Sequence, residues 1–254
     1  MKMFQNFPSE NDFENWEVFN HDIYLKSSED KKKEIRRSTC LARYNIEKDK
    51  TYSWMENYFL SKLDVDLLKD KNLLDLGCFT GGRLIAWSEN YRLKKVYGID
   101  INPVFKIAAE EFSLEKKINA EFKIGVGEKL PYENNFFDFI VSTDTFEHVQ
   151  NLEKSMDECF RVLKPGGMLL AVFPQFLQPF ESHLNFVTKL PCLHWFFNSN
   201  TISKKYFEIL KERGISAKWY SGDKDNLQEW EKLPTLNGTS IRKFENILKN
   251  NNWL

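Results

Sequence analysis

Leu73-Leu74-Asp75-Leu76-Gly77-Cys78-Phe79-Thr80-Gly81-Gly82 is the stretch that decides the fold of this 254-residue chain. It predicts a short apolar strand that runs into a glycine-bearing turn, which then opens a helix. Glycine lacks the Cβ that would keep a ligand away, and the start of a helix presents backbone N–H groups without intrahelical partners. We therefore expect a small molecule to bind against this turn.

The spacing of the glycines argues against a dinucleotide. A pyrophosphate-binding turn has the pattern G-x-G-x-x-G, whereas here Gly77 is followed by three residues and then by Gly81 and Gly82. In addition, Asp75 stands two residues before the first glycine. A carboxylate there suits a cationic or hydroxyl-rich ligand better than a diphosphate, so the dinucleotide interpretation is the weaker one.

Strand and helix patterns alternate on both sides of the turn. Besides Leu73–Leu76, the predicted strands are Val96–Ile101, Glu121–Ile124, Phe136–Ser142 and Met168–Phe173. Thr80 is the expected N-cap of the first helix. Asn102 with Pro103 opens a second helix, whose predicted apolar stripe is Val104, Ile107, Ala108 and Phe112. Asn151 opens a third, which carries Leu152, Met156, Phe160 and Leu163 and stops at Lys164–Gly167. This order predicts an α/β fold with a mostly parallel sheet of at least five strands and helices on both faces.

The turn resembles motif I of the class I S-adenosylmethionine-dependent methyltransferases, [DE]-x-G-x-G-x-G, with Phe79 in place of the middle glycine. Residues 127–141, Glu147-His148-Val149 and Arg161–Gly167 are similar to runs of the type 11 branch of that class. The resemblance implies a Rossmann-like three-layer sandwich. It also implies S-adenosyl-L-methionine as the cofactor, with S-adenosyl-L-homocysteine as its product.

The resemblance also implies which residues hold the cofactor. Asp100 ends the second strand, where the family has the acid that accepts hydrogen bonds from both ribose hydroxyls, and Ile101 would contact the adenine face. The family often has Asp near position 126, but this chain has Val126, so the adenine amino group would meet backbone near Gly127. The implied cofactor-binding residues are Asp75, Gly77, Phe79, Gly81, Asp100, Ile101, Val126, Gly127, Glu128 and Thr143.

The reaction implied is in-line displacement of a methyl group from a sulfonium, for which the enzyme supplies alignment and exclusion of water. A hydroxyl acceptor also needs a base. The candidates after the fourth strand are Asp144, Thr145 and His148, and His183 and His194 are further options. His148 could equally be a packing or positioning residue, because Glu-His-Val recurs in this branch whatever the acceptor. The predicted substrate-binding residues are His183, Phe146 and Trp195, and no metal is expected.

The pattern divides the chain into four predicted segments. Residues 1–64 form an N-terminal arm, either a pad over the sheet or a lid over the cofactor, with the first packing helix; residues 65–174 form the cofactor-binding core. Residues 175–238 are an aromatic-rich helical insertion, read as a substrate cap, an oligomer interface or plain core. Within it, residues 190–197 are too few to span a bilayer but could contact a membrane or an apolar substrate.

Residues 239–254 look like the last core helix, in which case the terminal strand pair is absent. The competing alignment makes 204–213 that helix and 216–221 a sixth strand.

Composition narrows the function. There are 36 Lys and Arg residues against 37 Asp and Glu, a net charge of −1, which gives no reason to expect nucleic acid. Four cysteines without paired or metal spacing suit a cytoplasmic protein. We expect methyl transfer to a small-molecule hydroxyl or amine, such as a sugar or natural-product intermediate. The alternatives are a partner subunit without turnover, or a protein or RNA methyltransferase; the insertion could also support a homo-oligomer.

Overall fold

The computed structural model describes residues 19, 21–49, 53–60, 64–180, 184, 187–212 and 237–250. The chain forms two compact units, residues 1–124 and 125–254, and each is described by itself. The predictions made for residues 1–18, for His183 and for a strand at 216–221 lie outside the described residues.

Three parallel strands form the sheet of the first unit, in the order β3-β2-β1. They are β1 (Asn72–Leu76), β2 (Lys95–Asp100) and β3 (Ala120–Ile124). The register places Leu74 beside Tyr97 and Gly98 beside Phe122. The near-continuous apolar run of β1 is buried, as is usual for a parallel strand covered on both faces. All three strands lie within about one residue of their predicted positions.

Helices surround these strands. They are α1 (His21–Lys26), α2 (Glu29–Lys48), a π-helical turn (Met55–Leu60), a 3-10 turn (Val65–Leu68), α3 (Gly82–Tyr91) and α4 (Pro103–Lys116). Asn102 caps α4 as predicted, because its Oδ1 accepts the Val104 N–H at 2.9 Å. The prediction that Thr80 caps α3 is wrong. Gly81 occupies the N-cap position without a side-chain hydrogen bond, and Ile107 on α4 is exposed rather than part of the apolar stripe.

Helix α2 is held against α4 by two arginine–glutamate pairs. Arg36 donates to both carboxylate oxygens of Glu111, at 2.6 and 2.8 Å, and to the Tyr24 hydroxyl at 2.8 Å. Arg37 makes the same bidentate contact with Glu115, at 2.7 and 2.9 Å. The sequence pattern over 26–37 indicates a solvated helix face, and Arg36 contradicts that interpretation, because its side chain is only 10% exposed.

These two pairs allow a matched stability prediction. Arg36→Ala should lower the free energy of unfolding by about 2 kcal/mol, because it leaves Glu111 and the Tyr24 hydroxyl without their buried donor. Arg37→Ala should cause a much smaller loss, since the Arg37 side chain is 54% exposed and its pair is screened by water. Urea denaturation of both variants checks this prediction. Equal losses would show that burial does not distinguish the two pairs.

Two parallel strands, β4 (Phe137–Thr143) and β5 (Leu163–Val172), form the sheet of the second unit. Helix α5 (Leu152–Val162) joins them, with Asn151 as the predicted N-cap. Phe137 pairs with Leu163, whereas Phe139 pairs with Met168, so the register of the two strands shifts between these pairs. The predicted helix stop at residues 164–167 is therefore an irregularity inside β5, which begins earlier than expected. Phe160 is 56% exposed and does not belong to the buried stripe of α5.

The aromatic-rich segment contains the helices α6 (Leu193–Phe196) and α7 (Ser199–Glu212), and α8 (Ile241–Asn250) follows it. A small core lies within this segment. Its buried residues are Leu184, Val187, Ile202 and Tyr206, with Phe176, Leu193, Phe207 and Ile209 packed against them. No helix in the described ranges is long and apolar enough to cross a membrane. Parallel strands that alternate with helices confirm the predicted α/β class.

Candidate active site

The turn after β1 has the left-handed backbone that its glycines allow. The φ angles are 80° at Gly77, 50° at Phe79 and 74° at Gly81. The N–H groups of Gly77 and Cys78 both donate to the Ile99 carbonyl of β2, at 2.9 and 3.1 Å. The turn is therefore fixed to the end of the neighbouring strand, and three of its residues have conformations that bring backbone close to a ligand.

Two of the glycines are also required by packing. A Cβ on Gly81 would lie 2.7 Å from the Cβ of Ala109, and a Cβ on Gly82 would lie 2.0 Å from the backbone oxygen of Cys40. Helix α2 thus crosses directly over the start of α3. No sequence pattern indicates this role of Gly82, because its neighbour in space is 42 positions away in the chain.

Asp100 is held rigidly at the end of β2. Its Oδ2 accepts the N–H of Phe79 in the turn, and its Oδ1 accepts the N–H of Asn102, both at 2.9 Å. Burial raises the pKa of Asp100, while these backbone hydrogen bonds act in the opposite direction. Each carboxylate oxygen can accept a second hydrogen bond, so the side chain can still bind two hydroxyl groups. The adjacent Ile101 is 71% exposed and can contact an aromatic face.

Asp75 is the most unusual carboxyl group of the turn. It is 2% exposed, and its Oδ1 has no hydrogen-bond partner. Burial raises its pKa to about 7; Asp100 adds to the rise, whereas Arg83 opposes it. A buried acceptor without a donor is costly unless a ligand supplies one. The acceptor therefore fits a ligand that carries an N–H donor or a positive charge, such as the amino acid part of S-adenosylmethionine.

This pKa gives a pH-dependent prediction. Because the pKa of Asp75 is higher in the folded than in the unfolded chain, the folded state binds more protons between about pH 4 and 7. Stability should therefore fall as the pH rises through this range, by up to about 1.4 kcal/mol per pH unit, and level off above it. Asp75→Asn should remove that fall. Denaturation of both proteins at pH 5, 6, 7 and 8 measures how the free energy of unfolding depends on pH. If this dependence is the same in the wild type and in Asp75→Asn, the prediction is wrong.

Aromatic rings cover one side of the turn. The Phe79 ring lies 4.2 Å from the ring of Phe105 and 5.3 Å from the guanidinium of Arg43 on α2. Phe19 packs on Phe105 at 5.3 Å and on Tyr24 at 4.9 Å, and it is 4% exposed. Phe19 is therefore buried in a cluster of aromatic rings beside the turn.

Glu47 on α2 is a buried carboxylate that no pattern in the sequence indicates. It is 1% exposed and accepts hydrogen bonds from the Ser53 hydroxyl at 2.6 Å, the Trp54 backbone at 3.1 Å and the Trp87 indole at 2.7 Å. Arg83 also lies 3.4 Å from it. Glu47 thus connects α2 and the residues just before the π-helical turn to α3. Only the fold reveals this, because a lone acid in a charged helix gives no local signal.

In the second unit, residues 126–128 form a tight loop. Val126 and Lys129 make an isolated antiparallel bridge, and Val126 is 47% exposed. A Cβ on Gly127 would lie 3.0 Å from the Ser155 hydroxyl. Glu128 accepts the Asn151 N–H at 3.0 Å, which fixes the residue that caps α5. The predicted cofactor residue Glu128 therefore already has a structural role.

The two candidate catalytic residues follow β4. Thr143 is buried at its end, and Asp144 is exposed with φ 52° while its N–H donates to the Val172 carbonyl at 2.8 Å. The His148 side chain is 35% exposed, and its Nε2 lies 3.6 Å from Oε1 of the buried Glu147. An exposed carboxylate and an imidazole next to a carboxylate are the groups that acid–base chemistry uses.

Asn237 fixes the loop that carries these residues. Its side-chain amide donates to the carbonyls of Phe146 at 2.6 Å and Val149 at 2.9 Å, and its backbone N–H donates to Glu147 at 3.0 Å. No pattern in the sequence indicates this role of Asn237.

The predicted substrate residues have different surroundings. Phe146 is fully buried and packs on the ring of Phe173 at 5.9 Å, whereas Trp195 on α6 is 52% exposed. Within the described ranges, no group of three or more His, Cys, Asp or Glu residues could hold a metal.

Part of the chain is similar to known methyltransferases. A methyltransferase domain family model matches residues 74–171. The chain is 33% identical over 106 residues to norajmaline N-methyltransferase of Rauvolfia serpentina, covering 40% of this chain and 35% of that protein. It is 35% identical over 106 residues to phosphoethanolamine N-methyltransferase of Triticum aestivum, with 42% and 21% covered. It is 31% identical over 145 residues to malonyl-[acyl-carrier protein] O-methyltransferase 1 of Coxiella burnetii, with 56% and 48% covered.

Residues 74–171 thus contain both the glycine turn and the strands that place it, and they match the same domain that the motifs resemble. Residues 74–171 therefore match a methyltransferase domain, and the motifs in them resemble the class I enzymes that use S-adenosylmethionine as the methyl donor. The chain spans less than half of the length of each relative named above.

Proposed function

We propose that this chain transfers a methyl group from S-adenosylmethionine to a hydroxyl or amine of a small molecule. The observation that carries the proposal is the glycine turn, in which a buried Asp75 oxygen lacks a donor and Asp100 is held by the turn itself. Two relatives support a small-molecule acceptor, because they are named N-methyltransferases of norajmaline and of phosphoethanolamine. The third is named an O-methyltransferase of malonyl-[acyl-carrier protein].

Residue roles follow from the chemistry of each group. Asp100 accepts hydrogen bonds from the two ribose hydroxyls, Ile101 contacts the adenine, and Asp75 accepts from the ammonium group of the methionine part. When bound, the cofactor supplies a methyl group already activated by its sulfonium. The chain therefore has to position the acceptor, exclude water and accept a proton where the acceptor is a hydroxyl. Asp144 positions the acceptor, and His148 takes the proton.

The role of His148 leads to a kinetic prediction. With a hydroxyl acceptor, His148→Gln should lower kcat by about 10²- to 10⁴-fold, because the acceptor loses its base. The affinity for S-adenosylmethionine should stay unchanged. Release of S-adenosylhomocysteine, measured against a panel of hydroxyl and amine acceptors, gives kcat, and calorimetric titration gives the affinity. Asp144→Asn should raise KM more than it lowers kcat.

Glu153→Gln, an exposed acid at the start of α5, is the matched control and should behave as the wild type. Unchanged kcat in His148→Gln with a hydroxyl acceptor would show that His148 is not the base. If the wild type binds S-adenosylmethionine but releases no S-adenosylhomocysteine with any hydroxyl or amine, the proposed activity is wrong, and a binding subunit without turnover is the better description.

A further inference from the structure

Asp75 is a buried carboxyl group inside a cluster of fixed charges. The charged groups that act on it most strongly are Arg83 on α3, Arg43 and Glu47 on α2, and Asp100 at the end of β2. These four groups contribute two positive and two negative charges, which cancel. An ionised Asp75 would add a third carboxylate, so the cluster in the free chain would carry an unbalanced negative charge where water does not reach it.

The two arginines of this cluster are placed by other contacts. The Nε atom of Arg83 lies 3.4 Å from Oε1 of the buried Glu47, and the guanidinium of Arg43 lies 5.3 Å from the centre of the Phe79 ring. Oδ1 of Asp75 accepts no hydrogen bond from any residue that the structure describes. A buried carboxylate oxygen without a donor is costly. A proton on the carboxyl group removes this cost, because the neutral form needs less solvation.

We propose that Asp75 carries a proton in the free chain and releases it when S-adenosylmethionine binds, which makes the cofactor site sensitive to pH. The inference rests on the proposed function, in which Asp75 accepts a hydrogen bond from the ammonium group of the methionine part. That ammonium group supplies the donor that Oδ1 lacks and the positive charge that balances the cluster. Asp75 then binds as a carboxylate, and its proton passes to the solvent.

Two other acidic groups beside the turn do not take this proton. Burial raises the pKa of Cys78 well above its usual value, so the thiol keeps its own proton. The charged form of Asp100 is stabilised by the backbone N–H groups of Phe79 and Asn102, which oppose the rise in its pKa that burial causes. The proton from Asp75 therefore leaves the protein, where calorimetry can count it.

The size of the effect follows from the pKa of Asp75, which burial raises to about 7. About half of the free chains carry the proton at pH 7, and about nine-tenths carry it at pH 6. Binding of S-adenosylhomocysteine should release these fractions of a proton, and its affinity should rise about fivefold from pH 6 to pH 7. The α-amino group of the ligand titrates at about pH 8 and stays mostly protonated at both values.

Titration calorimetry of the full chain in buffers with different enthalpies of ionisation measures the number of protons released. The matched ligand is methylthioadenosine, which has the adenine and ribose of the cofactor but lacks its amino acid part. It should release almost no proton, and its affinity should be the same at pH 6 and pH 7. A proton released by Asp100 on contact with the ribose would appear with both ligands, so the comparison isolates Asp75.

Asp75→Asn keeps the shape of the side chain but has no proton to release. It should bind S-adenosylhomocysteine more weakly than the wild type does, without proton release and without the rise in affinity from pH 6 to pH 7. Asp66→Asn, which changes an exposed acid of the same unit, is the matched control and should release as many protons as the wild type. Circular dichroism shows whether each variant is folded, and the comparison of the two ligands needs only the wild type.

Equal proton release with the two ligands would overturn the proposal. So would the absence of release at pH 6 with S-adenosylhomocysteine, or release by a folded Asp75→Asn. Failure of the proposed function gives a different result. A chain that releases the proton but methylates no hydroxyl or amine would have the proton-linked site without the proposed activity, whereas methyl transfer without proton release would support the activity and contradict this inference.

Discussion

Asp100→Ala should lower the affinity for S-adenosylmethionine by at least about 100-fold, since in the role proposed for Asp100 it removes the acceptor for two ribose hydroxyls, each a hydrogen bond to a charged group. It should have a second effect that a surface acid would not. The N–H groups of Phe79 and Asn102 both donate to this carboxylate, so its loss also frees the glycine turn. Calorimetric titration with S-adenosylmethionine and S-adenosylhomocysteine measures the loss, which should be similar for both.

Two further variants separate ligand binding from folding. Asp100→Asn keeps the shape of the side chain but has one acceptor oxygen in place of two, so it can satisfy only one of the two N–H donors. We expect it to remain folded in urea titrations and still to lose most of the affinity. Glu115→Ala, on the exposed side of α4, should bind as the wild type does. If Asp100→Asn is stable and binds normally, the carboxylate does not hold the ribose.

Part of the site could be predicted because its signals are local. The turn residues Gly77 and Gly81 have positive φ angles, which is the conformation for which glycine is selected. Asp100 follows an apolar strand and ends it, and Asn102 with Pro103 begins the next helix as its sequence indicates. Each of these features depends on residues within a few positions along the chain, so a pattern in the sequence is enough to reveal them.

The parts that could not be predicted depend on contacts between distant residues. Arg36 belongs to a helix whose charges indicate a solvated face, and its burial follows only from the position of Glu111. Glu47 is buried because Trp87 and Trp54 surround it, from 40 and 7 positions away. Thr80 would be an ordinary N-cap, but Gly81 takes that position in the left-handed conformation. Tertiary packing overrides a local preference in each case.

Gly82 is where local preference and packing make opposite predictions. Gly82 is the first residue of α3, and replacing a helical glycine with alanine normally stabilises a protein by up to about 1 kcal/mol. The new Cβ, however, would lie 2.0 Å from the backbone oxygen of Cys40 on α2. Neither helix backbone can move without disturbing the Arg36 and Glu47 contacts. Overpacking of this kind costs about 1–3 kcal/mol and sometimes more, so Gly82→Ala should destabilise the chain by at least about 2 kcal/mol.

Gly166→Ala provides the comparison that identifies the cause. Gly166 has φ 78°, and a Cβ there would meet no atom within 4 Å, so this variant should lose only the cost of a left-handed alanine, about 1 kcal/mol. Urea denaturation of the two variants orders them. A Gly82→Ala protein as stable as the wild type would mean that α2 does not cross α3 at Cys40. If Gly82→Ala loses more stability than Gly166→Ala, the reason for glycine at position 82 is steric contact between α2 and α3 and not the backbone conformation of glycine.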